Sequence, residues 1–376
     1  MSVNVPEPDS HALAVSEELT ARIRDELVKE GGWLSFERYM ERVLYEPGLG
    51  YYSGGSVKFG PSGDFVTAPE ISPLFGRALA RQLLPLLGQL SAPVILELGG
   101  GSGRLAASIL TELSDHASLF PEYQILEVSA DLRDRQRSEL ASFGEQVSWL
   151  DELPADFFEG VIVANEVVDA FPVTRFVKHN NDVRVLGISG EGKGFAWAEA
   201  AGDPELSAGI RALETRLGSV LPVGYCSEIS RRLSPWLASL TERLARGALL
   251  IIDYGLVEHE YYHPSRSDGT LICHYRHRAH TDPFLYPGLQ DISAWVDFSA
   301  CAAAAVDTGL TVAGFTTQGQ FLLERLGFSS TRVSAEEAQA LKTLVLPGEM
   351  GERFKLLLLT RSIEGTLPGR DFRDWL

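Results

Sequence analysis

Cationic side chains are scarce in this chain: 33 Lys plus Arg stand against 51 Asp plus Glu in 376 residues, a formal net charge of −18. A protein whose main partner is nucleic acid carries a basic stripe that neutralises phosphates and releases counterions. No Lys/Arg-rich run occurs here, so nucleic acid is not an expected partner. Cysteine is also sparse. Cys226, Cys273 and Cys301 are odd in number, widely spaced and form no CxxC pair, which argues against a disulfide framework. Apolar runs such as 248–252 and 356–359 fall far below the roughly 20 residues of a transmembrane helix. No membrane span is expected. The N-terminal residues show neither a basic segment followed by an apolar one nor an Arg-rich amphipathic pattern. They imply no secretory or transit peptide, and a reducing cytoplasm is the expected compartment. GxSxG, HExxH and Walker A sequences are missing as well, which leaves serine hydrolase, zincin and P-loop chemistry without support.

A hydrophobic fraction of 45% with 22% charged residues is ordinary for a globular protein. The length allows two domains or one large α/β domain with insertions. Apolar periodicity predicts helices at 15–29, at 34–44 behind Ser35 as N-cap, and at 74–87. The Gly-, Pro- and Tyr-rich stretch between them is expected to be an ordered, functional loop. Its Tyr51, Tyr52, Phe59 and Phe65 would prefer burial or a ligand. Farther on, predicted strands at 94–98, 123–126, 147–150, 161–164, 248–252, 310–316 and 354–360 alternate with helices at 104–113, 130–143, 235–246 and 298–307. That alternation implies βαβ units and a parallel sheet. Residues 173–200 have the texture of an inserted meander, broken at Asn180-Asn181 and Gly190, and 254–290 is a long polar insert.

The strongest local motif is Glu97-Leu-Gly-Gly-Gly-Ser-Gly103, after a predicted strand and before a predicted helix. Gly99, Gly101 and Gly103 permit a tight turn, let a ligand approach the backbone and leave the helix N-terminus open to a polar group. Glu127 closes the next strand, where a carboxylate can accept hydrogen bonds from both ribose hydroxyls. An adenosine ligand follows. NAD favours GxGxxG, whose third glycine would fall at Arg104. The alternate glycines behind Glu97 suit S-adenosylmethionine, whose ammonium group a nearby carboxylate can balance. Asp151, after the third strand, lies where an adenine contact or a solvated turn would fall.

Asn165, Glu166 and Asp169 follow the fourth strand and Asp253-Tyr254 the fifth, at the edge where open α/β sheets bind ligands. Carboxylates near a crevice are costly unless they meet a cation, and a guanidinium pairs with them through planar hydrogen bonds. The block from Cys273 to His280 gathers one thiol and three imidazoles, but its spacing completes no tetrahedral set. No metal is expected, and a cationic loop is the preferred reading.

Several blocks together resemble the MidA-like class I methyltransferases, a family that includes a mitochondrial complex I assembly factor acting on a protein arginine. They are FERYMERVLYEPGLGYY, GDFVTAPEISPLFG, ILELGGGSGRLA, LEVSADLRDRQ, VANEVVDAFPV, LIIDYG, GTLICHYRH and PGLQDISAWVDF, and they span 36–298. The resemblance implies a Rossmann-like α/β fold, a seven-stranded mostly parallel sheet with an N-terminal helical cap and an inserted substrate subdomain. The segments would be a cap with a cofactor-covering loop (1–90), two halves of the cofactor domain (91–172 and 235–376), a β-rich substrate segment (173–234) and a loop insertion (254–296). It also implies S-adenosylmethionine as cofactor, contacted by Glu97, Gly99, Gly101, Gly103, Glu127, Asp151, Asn165 and Thr67. Glu166, Asp169 and Asp64 would be the catalytic carboxylates, with Glu70, Asp253 and Tyr254 facing the substrate. The implied activity is ω-N methylation of arginine in a protein partner, symmetric dimethylation by resemblance, in a chain compatible with a homodimer. A small-molecule methyltransferase and a cofactor-binding assembly factor share the same fold expectation.

Overall fold

A computed structural model describes residues 5–54, 66–115, 121–180, 182–192, 194–327 and 334–376. The chain folds as two compact units: Met1–Phe65, Ala170–Arg232 and Glu258–Trp295 in one, Val66–Asp169, Leu233–Val257 and Val296–Leu376 in the other.

The second unit is built on a sheet whose strands are β1 (Pro93–Leu98), β2 (Glu122–Leu126), β3 (Val147–Leu150), β4 (Phe158–Asn165), β5 (Leu244–Leu256), β6 (Thr311–Thr317) and β7 (Phe354–Arg361), in the order β3-β2-β1-β4-β5-β7-β6. From β3 to β5 every pairing is parallel, and β7 runs antiparallel to both neighbours. A two-residue strand, Val296–Asp297, extends the end of β5. The expected seven-stranded, mostly parallel sheet is present. Val161–Ala164 and Ala248–Ile252 are wholly buried along their length. Strands covered on both faces are therefore continuously apolar instead of alternating. The strand order reverses beside β1, so a crevice opens at the carboxyl ends of β1 and β4.

Helix boundaries differ from expectation by more than two residues in three places, the first being the helix expected over 15–29, which begins at Ser10. The helix expected over 130–143 stops at Glu139 and gives way to a 3-10 segment, Ala141–Gln146, where Gly144 takes a positive φ of 56° and interrupts the winding. The helix expected over 235–246 spans Leu233–Glu242, because Leu244 already pairs with Phe158 as the start of β5. Two further helices, Gln318–Leu326 and Ala335–Val345, lie before β7.

The first unit gathers helices Ser10–Lys29 and Phe36–Tyr45 around an antiparallel sheet. Ser35 caps the second helix, its hydroxyl accepting from the Arg38 N–H at 3.2 Å, as expected. Leu34–Ser35 pairs with Val183–Glu191, which also pairs with Thr174–Lys178 and Gly194–Ala201. Cys226–Ile229 completes the sheet against Thr174–Lys178. Gly190 lies inside a strand; Gly192, with φ 54°, lies at the turn instead. Residues 258–295 carry a second, three-stranded sheet, and its two-residue hairpin turn holds Arg276 and His277 at positive φ. Leu19, Ile23, Phe36, Tyr39, Ile188 and Ile292 form part of this unit's core.

In the second unit, helices Pro73–Leu87 and Arg104–Ser114 approach closely through Gly76. A Cβ added there would lie 2.4 Å from the Ser108 Cβ. Gly76→Val is expected to cost about 1–3 kcal/mol through overpacking. The check is a urea titration, in which a lowered midpoint is expected and an unchanged midpoint contradicts close packing at this position.

Candidate active site

The glycine turn after β1 has one packed side and one open side. A Cβ on Gly100 would come within 2.8 Å of Ile125, whereas on Gly101 it would meet nothing within 4 Å. Gly99, Gly101 and Gly103 take φ values of 66°, 52° and 88°, a region that L side chains enter only under strain. At the end of β2 the buried Glu127 carboxylate accepts the Ser129 N–H at 2.9 Å and the Gln136 amide at 3.0 Å. The same amide donates to the Gly101 carbonyl at 3.0 Å, and the Trp149 indole N–H fixes the Gln136 oxygen at 2.9 Å. An open backbone concavity with a held carboxylate beside it fits a ligand carrying hydroxyl and ammonium donors.

Glu97 lies buried at the end of β1 and accepts the Tyr123 hydroxyl at 2.9 Å. Burial pushes its carboxyl up to about 7; the Tyr123 hydrogen bond opposes the rise and the Glu127 charge adds to it. Thr67 is the N-cap residue of the short helix Ala68–Ile71 and is buried. Glu70, expected on the substrate side, instead accepts the Ser102 hydroxyl and pairs with Arg104 at 3.0 Å, tying that helix to the glycine turn. Asp151 is 88% exposed and pairs with Arg133 at 2.7 Å. Asp64 lies outside the described residues.

Beside the switch point, β4 ends with Asn165 opposite Ile252 of β5. Glu166 then takes φ 53°, unusual for a residue with a side chain, and its N–H is anchored on the Ile252 carbonyl at 2.8 Å. Asp253, expected to contact substrate, is fully buried and turns its carboxylate to the backbone. One oxygen accepts the N–H groups of Val168 (3.1 Å) and Asp169 (3.2 Å), and the other accepts that of Tyr254 (2.9 Å). It holds the loop that carries Glu166 and Asp169. Burial, then the charges of Asp169 and Glu166, push Asp253 well above the ordinary carboxylate range against the N–H donors. The Tyr254 ring packs edge-on against Phe354 at 5.6 Å. Sequence reasoning missed Tyr123, Gln136 and Trp149, which orient the carboxylates without any motif of their own.

In the first unit, Arg276 lies over the Tyr275 ring at 5.2 Å and donates to the Glu7 carbonyl. Part of the cationic block is thus engaged within its own unit.

Residues 78–316 match the family described as "Putative S-adenosyl-L-methionine-dependent methyltransferase". A protein from Burkholderia thailandensis, solved with S-adenosyl-homocysteine bound, is 41% identical and superposes with a TM-score of 0.91 over 98% of this chain and 99% of its own. Among curated proteins, the mitochondrial protein arginine methyltransferase NDUFAF7 homolog of Drosophila melanogaster is 29% identical over 94% of this chain and 87% of its own length. The human mitochondrial protein arginine methyltransferase NDUFAF7 is 28% identical over 88% and 81%. These curated relatives are mitochondrial, which overturns the expectation of a cytoplasmic compartment.

Glu97 also predicts a pH dependence. The folded state holds this proton up to about pH 7 and the unfolded chain only to about 4.5, so folding takes up a proton between those values. Glu97 therefore lowers stability as pH rises from 4.5 to 7. Glu97→Gln is expected to lose roughly 2–3 kcal/mol less than the parent between pH 5 and pH 8. Denaturant unfolding at the two pH values checks it; identical losses contradict the burial assignment.

Proposed function

The chain belongs to a family of S-adenosyl-L-methionine-dependent methyltransferases, and on that premise we propose that it methylates the guanidinium of an arginine in a protein substrate. The observation that carries this reading is the loop after β4, which carries Glu166 and Asp169 and whose Val168 and Asp169 N–H groups are held by the buried Asp253. Relatives named as protein arginine methyltransferases support it.

The glycine turn from Gly99 to Gly103, Glu97 and Glu127 would hold the cofactor, with Thr67 and Asp151 at its margins. When bound, S-adenosylmethionine supplies an electrophilic methyl group, which leaves sulfur with the bonding pair behind as a nitrogen–carbon bond forms. The protein's task is placement. An arginine side chain stays cationic at neutral pH and its nitrogen lone pairs are delocalised. Two carboxylates on one loop can bind its N–H groups in the guanidinium plane, which leaves the face of the group, where the lone pair lies, open to attack. They can also take the single proton that must leave the nitrogen.

Glu166→Gln and Asp169→Asn are each expected to lower turnover on arginine about 100-fold while S-adenosyl-homocysteine binds within a few-fold of the parent. Labelled methyl incorporation and calorimetry read the two quantities, and full turnover in both variants contradicts the carboxylate assignment. Gly101→Val, which fills the open side of the turn, is expected to abolish S-adenosyl-homocysteine binding by calorimetry; parental affinity would remove the turn from the cofactor site.

A further inference from the structure

Asn165 is the last residue of β4, beside the switch point of the sheet. Its side-chain amide nitrogen donates to the Glu166 carboxylate at 3.3 Å. An amide that turns its nitrogen to a carboxylate must turn its oxygen elsewhere, so the pairing sets which end is the acceptor. That oxygen is shut off from solvent, and no group among the described residues hydrogen-bonds it. Buried carbonyl oxygens without a donor are uncommon because the lost hydration is not replaced.

We propose that the Asn165 Oδ1 accepts an N–H of the nitrogen that receives the methyl group, making Asn165 a catalytic residue of the arginine reaction. This rests on the arginine reading above and replaces the expectation that Asn165 contacts the cofactor. The groups fitted to the cofactor, Glu97 and Glu127, end β1 and β2, whereas Asn165 is tied to Glu166 on the opposite side of β1 in the strand order.

The chemistry separates Asn165 from its acidic neighbours. An amide oxygen accepts a hydrogen bond but takes no proton at neutral pH. A terminal guanidinium nitrogen begins with two hydrogens. As the sulfur–carbon bond breaks, its electron pair stays on sulfur and the nitrogen–carbon bond forms. One hydrogen leaves as a proton to a carboxylate, and the other stays on nitrogen, bonded to Oδ1. A nitrogen already carrying one methyl has a single hydrogen, which a second transfer would remove, leaving Oδ1 with no donor. Asn165 thereby favours one methyl per nitrogen.

The test compares the full chain with Asn165→Ala and Asn165→Asp. Each is incubated with labelled S-adenosylmethionine and extract from cells lacking this protein, followed by amino-acid analysis of the methylarginines and calorimetry with S-adenosyl-homocysteine. The expected result for Asn165→Ala is a roughly 10–100-fold lower rate, unchanged S-adenosyl-homocysteine affinity and a larger share of product with both methyls on one nitrogen. Asn165→Asp keeps an acceptor and should retain the parental product pattern at a reduced rate. Unchanged affinity shows that the variants fold. A rate and product pattern equal to the parent's overturn the proposal, as does a tenfold or greater loss of S-adenosyl-homocysteine affinity, which would make Asn165 a cofactor contact. If the parent chain forms no methylarginine, the arginine reading itself fails and this proposal with it.

Discussion

The Asp253 carboxylate holds the acidic end of the sheet together. Parallel strands bring β4 and β5 to the same edge, but adjacency alone would not shape the loop that follows β4. By accepting the N–H groups of Val168 and Asp169 on one oxygen and of Tyr254 on the other, Asp253 clamps that loop to the end of its own strand. The left-handed turn at Glu166 is sustained by the same arrangement, since the Glu166 N–H is held on the Ile252 carbonyl one residue before Asp253. A strained residue persists only where its surroundings over-determine it.

The arrangement has an electrostatic consequence. Three carboxylates converge where burial already penalises charge, and Asp253 is pushed well above its ordinary range. Such a cluster gains most from an incoming cation, because a guanidinium relieves the repulsion and brings several N–H donors in one plane. The net charge of −18, which disfavours polyanions, thus has one focused component beside the switch point. On the other side of β1 the design differs: Glu127 is held by neutral donors from Ser129 and Gln136, and the glycine turn stays open at Gly101. One edge of a single sheet therefore offers a place for a hydroxyl- and ammonium-bearing cofactor and another for a cationic side chain.

Much of the α/β unit was legible in the sequence because its signals are local. Val147–Leu150 and helix Phe298–Asp307 fall where periodicity placed them, and Ser35 caps as its side chain suggests. Helix Pro204–Leu217 is not among the expected elements although its ends are marked: Asp203 caps the first turn, Pro204 opens it and Gly218 closes it in the left-handed region. It was hidden by the strand-like texture upstream. What could not be read locally depends on distant partners. Leu34 pairs with Ile188 and Leu244 with Phe158, contacts that no window of neighbouring residues contains. The site shows the same divide. The glycine turn and the acids after β4 announce themselves by type and position. The direction of the Asp253, Glu70 and Asn165 side chains is set by which donors the fold brings to them.

The central claim is that this methyltransferase acts on protein arginine. The most direct measurement is quantitative mass spectrometry of methylarginine-bearing peptides from cells with and without the gene, and from deletion cells carrying the Glu166→Gln variant. The account predicts at least one arginine site that is methylated in the parent, unmethylated in the deletion and not restored by the variant. Methylarginine profiles identical in all three would contradict it.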